Sequence, residues 1–501
     1  MDILIAAALA VLQPHMLIII LLGVTAGLFV GALPGLTATM ALALMLPFTF
    51  TLDALEGLVA LGAVYMGTIY GGAFTAILLN TPGTPSSIAT TFDGHPMAKQ
   101  GRALEAISVA TIASVVGGVV GVTFLLIAAP PLAQLALKFG PAEMFWVAIL
   151  GLTLIGSLAT GSLLKGLLGG AIGLLIGTIG ISPIGGESRF TFGWPPLQAG
   201  VSLIVALIGL FVIPELLQMI RRGQASLEPS DTIGNTGFQF MSALRTVLSK
   251  PVNLVRSCAI GQVIAVIPGA GGSITSLVAY NEARRWSKTP ETFGKGNPEG
   301  IVASESSNNV MVAGSMVPLL TLGIPGAPPD AIILGVMLLH GLRPGLDLFT
   351  QTGVLANGFI ISMGLAALML APIGLLGGRL IYRVIIRTPH YFLVPTILIV
   401  TILGTYALRN NVIDVAIMLG LGVVGFLIRG LGLHAAPIVL GLILGTIAEQ
   451  GYVQSVLGGM ALDIPQLRLV ANPLSQVLIA LIVLVIVWAA WPKRFSRKKQ
   501  G

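Results

Sequence analysis

Long apolar runs alternate with short polar stretches along almost the whole chain, as in proteins whose helices cross a membrane repeatedly. In the first half these runs cover about residues 16–46, 57–92, 103–128, 142–160, 163–182 and 197–217. In the second half they cover about residues 252–283, 300–339, 350–378, 392–408, 412–428 and 434–447, followed by a last run at 474–491. The pattern predicts an all-α polytopic membrane protein.

Four of these runs are each interrupted by a proline-glycine pair. The pairs are Pro34-Gly35, Pro82-Gly83, Pro268-Gly269 and Pro325-Gly326. Proline removes a backbone donor and glycine frees the backbone, so each pair should end a helix. In hydrocarbon an unpaired amide or carbonyl costs several kcal/mol, so such breaks persist only inside protein or beside a polar cavity.

The second half repeats the order of the first. A shift of 234 positions takes Pro34 to Pro268, and a shift of 243 takes Pro82 to Pro325. We therefore predict two repeat units, residues 1–220 and 252–450, joined by a polar connector at 221–251. The remaining residues, 451–501, would form an extra transmembrane helix and a basic tail.

The basic residues predict how these units are oriented. The connector and the tail around 493–499 are the most basic segments, which places both in the cytoplasm. The run 252–283 is flanked by bases at both ends, and each arm of about 15 residues is too short to cross a core of roughly 30 Å. We interpret this run as a re-entrant hairpin, and 16–46 as its counterpart from the other face. The repeats would then be inverted, with a periplasmic N-terminus, a cytoplasmic C-terminus and broken helices at 57–92 and 300–339.

Composition narrows the class further. The sequence is 55% hydrophobic and 9% charged, against roughly 25% charged in soluble domains. The net charge of +7 does not indicate nucleic-acid binding, because the bases lie in short loops and the tail. The five histidines are scattered and Cys258 is the single cysteine, so we expect no transition-metal site. The N-terminus lacks a basic stretch, so we expect no cleavable signal peptide.

The breaks are the candidate binding site. Half-helix N-termini carry free N–H groups and partial positive charge that suit a carboxylate, whereas freed carbonyls and hydroxyls suit a cation such as sodium. The candidate substrate-binding residues are Pro34, Gly35, Thr37, Asn80, Thr81, Pro82, Gly83, Thr84, Pro268, Gly269, Gly271, Ser273, Pro325 and Gly326. The candidate cation ligands are Thr39, Ser87, Ser307, Asn308, Asn309 and Asp330. The alternative is that each pair is an ordinary interhelical turn. The presence of four pairs at corresponding positions of the two halves argues against this alternative.

Three acids need separate interpretations. Asp330 could ligate a cation, carry a proton or simply face the mouth of a cavity, and its counterpart in the first half is Ser87. We interpret Glu305 as an interfacial acid near the cytoplasmic end of its helix, and Glu143 likewise as interfacial.

Taken together, the motifs resemble the large membrane subunit of the tripartite tricarboxylate transporter family. The resemblance covers nearly the whole chain and rests on residues 31–37 (GALPGLT), 70–72 (YGG), 80–85 (NTPGTP), 92–96 (FDGHP), 267–271 (IPGAG), 305–309 (ESSNN) and 323–326 (GIPG). It implies a secondary carrier of the bacterial inner membrane that imports citrate, other tricarboxylates or small carboxylates by cation symport. It also implies two partners, a periplasmic solute-binding protein and a small membrane subunit. By analogy with other paired-hairpin carriers, a transport domain would move against a scaffold.

Several alternatives remain at this point. We favour sodium as the coupling cation, with no organic cofactor, because the breaks are rich in carbonyls and hydroxyls; a proton-coupled carrier is the main alternative. An intramembrane enzyme would need a nucleophile with a base, paired aspartates or a His-Glu-x-x-His helix, and the sequence offers none of these. The third alternative is a channel or a purely structural membrane subunit. A channel would need a continuous polar pore, whereas inverted hairpins that meet at mid-depth favour alternating access.

Overall fold

A computed structural model describes residues 2–136, 138–159, 162–182, 184–222, 240–269, 271–387, 390–460 and 466–490. The predicted basic tail at 493–499 and most of the polar connector lie outside the described residues.

The described chain is helical apart from short turns and one two-residue antiparallel strand pair. In the first half the elements are α1 (Asp2–Val11), α2 (Pro14–Gly31), α3 (Ala38–Thr49), α4 (Ala54–Leu79), α5 (Ile88–Lys99), α6 (Ala103–Ala136), α7 (Pro141–Ala159), α8 (Leu163–Gly177), β1 (Gly180–Ile181), β2 (Ser188–Arg189) and α9 (Leu203–Arg222). In the second half they are α10 (Phe240–Leu248), α11 (Pro251–Ala265), α12 (Gly271–Trp286), α13 (Pro298–Gly314), α14 (Met316–Leu322), α15 (Pro328–Leu339), α16 (Leu346–Thr350), α17 (Gly353–Arg387), α18 (His390–Arg409), α19 (Val412–Arg429), α20 (Ala435–Met460), α21 (Arg468–Ala471) and α22 (Pro473–Ala490).

Within the described residues, seven helices are long and apolar enough to cross a membrane, namely α2, α4, α6, α9, α17, α19 and α20. This confirms the prediction of an all-helical polytopic membrane protein. The short helix α1 lies before the first predicted run and was not anticipated. The inverted orientation of the repeats and the re-entrant hairpins stay predictions.

The chain divides into two compact units. The larger one comprises Met1–Ala136 and Ile204–Phe426, and the smaller one Leu137–Leu203 and Leu427–Gly501. Both units draw on both halves of the sequence. All four proline-glycine breaks lie in the larger unit.

In the larger unit, glycines bring α2 into close contact with α4. A Cβ placed on Gly27 would lie 2.2 Å from the Val64 carbonyl oxygen, and one on Gly31 would lie 2.1 Å from that of Thr68. Gly71 of α4 meets Gly31 in turn, with 3.1 Å from its added Cβ to the Gly31 Cα. Small residues allow this backbone approach, which is a common way to associate helices in lipid.

The same contacts recur between α11 and α13. A Cβ on Gly261 would lie 2.7 Å from the Ser307 carbonyl oxygen, and one on Gly314 would lie 2.7 Å from the Cβ of Ala265. Under the shifts of 234 and 243, the pair Gly27 and Val64 becomes Gly261 and Ser307. Likewise Gly31 and Gly71 become Ala265 and Gly314. The two halves therefore share their helix packing at these positions, which supports the sequence repeat.

The smaller unit contains its own polar contacts. The side chain of Arg189 pairs with Glu449, with 2.6 Å between Nη1 and Oε1, and the hydrogen bonds to Glu449 raise the pKa of the arginine. Glu143 is buried and accepts hydrogen bonds from the Ser475 hydroxyl (2.7 Å) and the Gly140 amide (2.8 Å). Glu143 is therefore enclosed by protein, and its place at the membrane interface stays a prediction. Its hydroxyl partner lies 332 positions away along the chain, where sequence spacing gives no signal.

Candidate functional site

Each break ends one helix and starts another by means of residues that tolerate unusual backbone angles. Asn80 ends α4 in the left-handed region with a φ of 52°, and Gly35 and Gly269 have φ values of 92° and 85°. These conformations are accessible to glycine and, less often, to asparagine. At the first break the Thr37 hydroxyl caps α3 by accepting from the Met40 amide at 3.2 Å. Local sequence thus explains why the helices stop here.

The first two breaks contact each other. A Cβ placed on Gly83 would lie 2.1 Å from the Gly31 carbonyl oxygen and 2.6 Å from Thr75 Oγ1. The Gly83 amide also donates to the Gly72 carbonyl at 3.4 Å. The chain after α4 is therefore folded back against the end of α2 and the body of α4.

The third break contacts both the second and the fourth. A Cβ placed on Gly272, at the start of α12, would lie 2.5 Å from the Cβ of Ser86. The Gly269 amide donates a hydrogen bond of 2.8 Å to the carbonyl of Gly326. The four breaks, which lie up to almost 300 residues apart in sequence, thus form one continuous set of contacts inside the larger unit.

The predicted substrate-binding residues differ in exposure. Asn80 is exposed, and partly exposed are Pro34, Gly35, Thr37, Thr81, Pro82, Gly269, Gly271 and Ser273. Fully buried are Gly83, Thr84, Pro268, Pro325 and Gly326. The first three breaks are therefore partly accessible, whereas the proline and glycine of the fourth lie inside the protein.

All six predicted cation ligands are buried, but their polar atoms are engaged differently. The Ser307 hydroxyl donates to the Ser304 carbonyl at 3.0 Å, and the Asn309 amide donates to the Glu305 carbonyl at 3.1 Å. Both bonds stay within α13. Ser87 similarly donates to the Thr84 carbonyl at 2.9 Å. The Asn308 side chain, by contrast, has no hydrogen-bond partner for either its oxygen or its nitrogen.

Asp330 is held at the start of α15. Its carboxylate accepts from the Ala327 amide at 2.7 Å and from the Ser315 hydroxyl at 3.2 Å, and the Tyr65 hydroxyl lies beside it. The residue is completely buried, so the alternative that it faces the mouth of a cavity is wrong. An acid at this depth in a membrane protein is a functional candidate by default.

Glu305 is another buried acid, and its place near the membrane interface stays a prediction. Its side chain accepts from the hydroxyls of Thr90 in α5 and of Ser114 in α6, the latter at 3.1 Å. Among the described residues it forms no ion pair. The composition of α13 could have revealed this burial. Small and polar residues occur at the positions where an ordinary helix has an exposed, charged face.

Asp93, in the FDGHP motif, is also a buried acid. Its Oδ1 accepts from the amides of Gly294, Gly296 and Asn297 at 2.8–2.9 Å, and its Oδ2 accepts from the Tyr280 hydroxyl at 2.8 Å. The carboxylate thereby fixes the loop between α12 and α13 to α5. The sequence marked the motif but gave no role for this residue.

Within the described part of the chain, no three histidine, cysteine, aspartate or glutamate side chains are close enough to hold a metal ion. The site is instead made of helix ends, hydroxyls, amides and two carboxylates without basic partners. Such a set can bind an anion through N–H groups and a cation through oxygens, but it lacks the arrangement of a nucleophile and base.

Comparisons with known proteins identify the family of the chain. The family model described as "Tripartite tricarboxylate transporter TctA family" matches residues 17–440. An "uncharacterized 52.8 kDa protein in TAR-I ttuC' 3'region" of Agrobacterium vitis is 35% identical over 488 residues, covering 97% of this chain and 95% of the relative. An "uncharacterized protein in TAR-II ttuC' 3'region" of the same organism is 33% identical over 241 residues, covering 48% of this chain and 98% of the relative. No solved structure matches. The chain belongs to the tripartite tricarboxylate transporter TctA family.

Proposed function

We propose that this protein is the secondary active importer of such a tripartite system, carrying tricarboxylates or other small carboxylates together with a cation, which we expect to be sodium. The observation that carries the proposal is the continuous set of contacts among the four breaks, since paired helix breaks mark the substrate site of many carriers. Substrate would arrive from a periplasmic solute-binding protein, and a small membrane subunit would complete the transporter.

The chemistry of the breaks supports an anionic substrate and a cationic partner. The helices that start after the breaks offer N–H groups and partial positive charge to a carboxylate. A co-transported cation would offset part of the substrate's charge, and Asp330 with its neighbouring oxygens is the best candidate to bind it. Sodium takes such hard oxygen ligands readily.

The topology of the sequence analysis forms part of the same proposal. Residues 1–220 and 252–450 would be inverted repeats, with re-entrant hairpins at 16–46 and 252–283, in the bacterial inner membrane. The N-terminus would be periplasmic and the C-terminus cytoplasmic. We further propose that the larger unit, which contains all four breaks, moves as a body during transport, as in an elevator mechanism.

Proton coupling is the second candidate, and one observation favours it. Glu305 and Asp330 are both completely buried, and neither forms an ion pair among the described residues. A buried acid without a basic partner is costly to keep ionised. Either residue could therefore carry a proton across the membrane instead of binding sodium.

Uptake of radiolabelled citrate into proteoliposomes containing the complete tripartite transporter tests these alternatives. An inward sodium gradient at constant pH should drive accumulation, and collapsing that gradient should abolish it. Accumulation that follows a pH gradient and ignores sodium would replace the sodium proposal with proton coupling. If citrate moves only down its own concentration gradient, whether or not a sodium or pH gradient is applied, active transport is contradicted.

Binding to the isolated membrane protein provides a second measurement. A ligand that binds only the folded state stabilises it by RT ln(1 + [L]/Kd), or about 2.7 kcal/mol at one hundred times Kd. Titration of sodium into potassium buffer should raise the unfolding temperature, and citrate should enlarge the rise. Equal responses to sodium and potassium would contradict a specific sodium site.

A further inference from the structure

The N-terminus of α12 meets the start of α5 within the larger unit. Gly272, the second residue of α12, lies against Ser86, which belongs to the turn that leads into α5. The first N–H groups of any helix lack acceptors within that helix. The start of α12 therefore places N–H donors, and partial positive charge, beside the turn that precedes α5.

A second, independent observation concerns the side chain that faces this place. Asn308 of α13 is completely buried, yet neither its Oδ1 nor its Nδ2 has a hydrogen-bond partner. Its Oδ1 lies 3.0 Å from the position that a Cβ on Gly272 would occupy. An unpartnered buried amide carries the full cost of its desolvation, so a polar ligand that satisfies it would bind with a corresponding gain.

The start of α15, which corresponds to the start of α5, shows what this site lacks. At the start of α15 the protein supplies its own carboxylate, because Asp330 accepts from the Ala327 amide at 2.7 Å. The counterpart of Asp330 in the first half is Ser87, whose hydroxyl donates to the Thr84 carbonyl. Among the described residues, no acid accepts a hydrogen bond from a backbone amide at the start of α5 or α12, although Glu305 accepts one from the Thr90 hydroxyl in the first turn of α5. Of these three helix starts, only that of α15 has a carboxylate from the described part of the protein on its first backbone amides.

We infer that a carboxylate group of the substrate binds at the start of α12, where it accepts hydrogen bonds from the Asn308 amide and from free N–H groups of the helix. This inference rests on the proposed function and specifies where a carboxylate of the substrate binds. It moves Asn308 from the cation ligands to the substrate site and adds Gly272 and Ser86, which sequence analysis did not select. The cation would then belong to Asp330 at the start of α15, so the substrate carboxylate and the cation bind at different breaks.

The test measures citrate and sodium binding to the full-length protein by thermal unfolding and calorimetry. Asn308→Asp places a negative charge of nearly the same shape at the proposed anion site. We expect citrate affinity to fall by at least about tenfold, through repulsion and loss of a donor, while the sodium midpoint without citrate stays within about twofold. Retained citrate affinity with tighter sodium binding would overturn the inference and return Asn308 to the cation site.

The variant Asn308→Ala tests whether a folding defect, and not loss of the anion site, explains a weaker binding of citrate. Because the amide has no partner to lose, we expect the unfolding temperature to stay unchanged or rise while citrate affinity falls by a similar factor. The matched control is Asn357→Ala, which removes another buried amide of the larger unit, one that donates to the Gly353 carbonyl at 2.7 Å. It should leave citrate affinity unchanged.

The outcomes separate this inference from the function on which it rests. If the wild-type protein binds citrate and both Asn308 variants bind it equally well, the inference fails and the proposed function stands. If the wild-type protein shows no response to citrate, tricarballylate or succinate, the carboxylate function fails and takes the inference with it. Loss of citrate binding in Asn357→Ala as well would show a general packing effect and overturn the specific role of Asn308.

Discussion

The break after α4 and the break after α14 share a backbone plan but differ in side chains. In the first, Gly72 leaves room for the hydroxyls of Thr84 and Ser87, which lie 2.4 and 2.7 Å from where its Cβ would be. In the second, the counterpart of Gly72 is Ser315, and its hydroxyl donates to Asp330, the counterpart of Ser87. The same geometry therefore holds a neutral site in one half and an acidic site in the other.

Two further positions extend this difference. Tyr65 in α4 corresponds to Asn308 in α13, and Leu28 in α2 corresponds to Gln262 in α11. Both amides of the second half are buried without hydrogen-bond partners. The comparison teaches that backbone packing is repeated where helices touch, whereas chemistry diverges at a few side chains. A pseudo-symmetric framework can thus bind an asymmetric set of ligands in one orientation.

The largest expected effect tests the repeated packing. Gly27→Ala should destabilise the protein by about 3 kcal/mol or more, since the new Cβ would lie 2.2 Å from a backbone oxygen that cannot move freely. The equivalent Gly261→Ala, with 2.7 Å to its carbonyl oxygen, should cost about 1–2 kcal/mol. Thermal unfolding in detergent, together with the yield of monodisperse protein, measures both.

Gly420→Ala is the control for these glycine variants. An added Cβ there meets nothing within 4 Å, and alanine is the better helix former by about 1 kcal/mol, so stability should hold or rise. If Gly27→Ala behaved like Gly420→Ala, the close packing of α2 on α4 would be contradicted.

A smaller effect concerns an acid that the first half has and the second lacks. The counterpart of Asp93 is Val336, so the attachment of the loop between α12 and α13 is not repeated. Asp93→Ala should cost about 1.5–3 kcal/mol, because three backbone amides and Tyr280 lose a charged acceptor. Trypsin should then cleave faster at the exposed Lys288 and Lys295. Asp93→Asn keeps an oxygen acceptor, so its stability and its cleavage rate should lie between those of the wild type and of Asp93→Ala. Cleavage of Asp93→Ala at the wild-type rate would contradict the attachment of the loop to α5.

The sequence predicted the helices and the breaks well, for physical reasons. Apolar runs long enough to cross a membrane have few alternatives to helix, and proline followed by glycine ends a helix wherever it occurs. The correspondence between Gly27 and Gly261 follows from the shift of 234 positions, which the sequence alone provides. The predicted and observed bounds of the helices differ mainly where apolar residues continue beyond a polar one, as at the end of α20.

Burial of individual acids could not be predicted in the same way. The burial of Glu305 and Glu143 was not predicted, because sequence gives a residue's place along its helix but not what packs around it. Their hydroxyl partners come from distant helices, Ser114 for Glu305 and Ser475 for Glu143. The unpartnered amides of Asn308 and Gln262 are likewise properties of the packed protein, and no pattern of residue types distinguishes a satisfied amide from an unsatisfied one.

The next prediction tests the acidic site. Asp330→Asn preserves shape but removes the negative charge, so sodium affinity should fall by at least about tenfold, the loss expected for one charged ligand. Citrate affinity at saturating sodium should change less. The sodium titration by thermal unfolding checks this, with Asp93→Asn as a control for loss of a buried carboxylate elsewhere. An unchanged sodium midpoint would remove Asp330 from the cation site and favour Glu305 as the coupling acid.

The smallest expected effect belongs to Tyr65, whose hydroxyl lies beside Asp330 and whose ring is completely buried. Tyr65→Phe keeps the ring and removes one neutral oxygen, so the cost in stability should stay within about 1 kcal/mol and sodium affinity should fall about two- to fivefold. Citrate affinity should not change, in contrast to the loss expected at the counterpart Asn308. If Tyr65→Phe instead weakened citrate as strongly as Asn308→Ala, the two counterparts would share one ligand. The assignment of the substrate carboxylate and the cation to different breaks would then be wrong, even with the repeated packing intact.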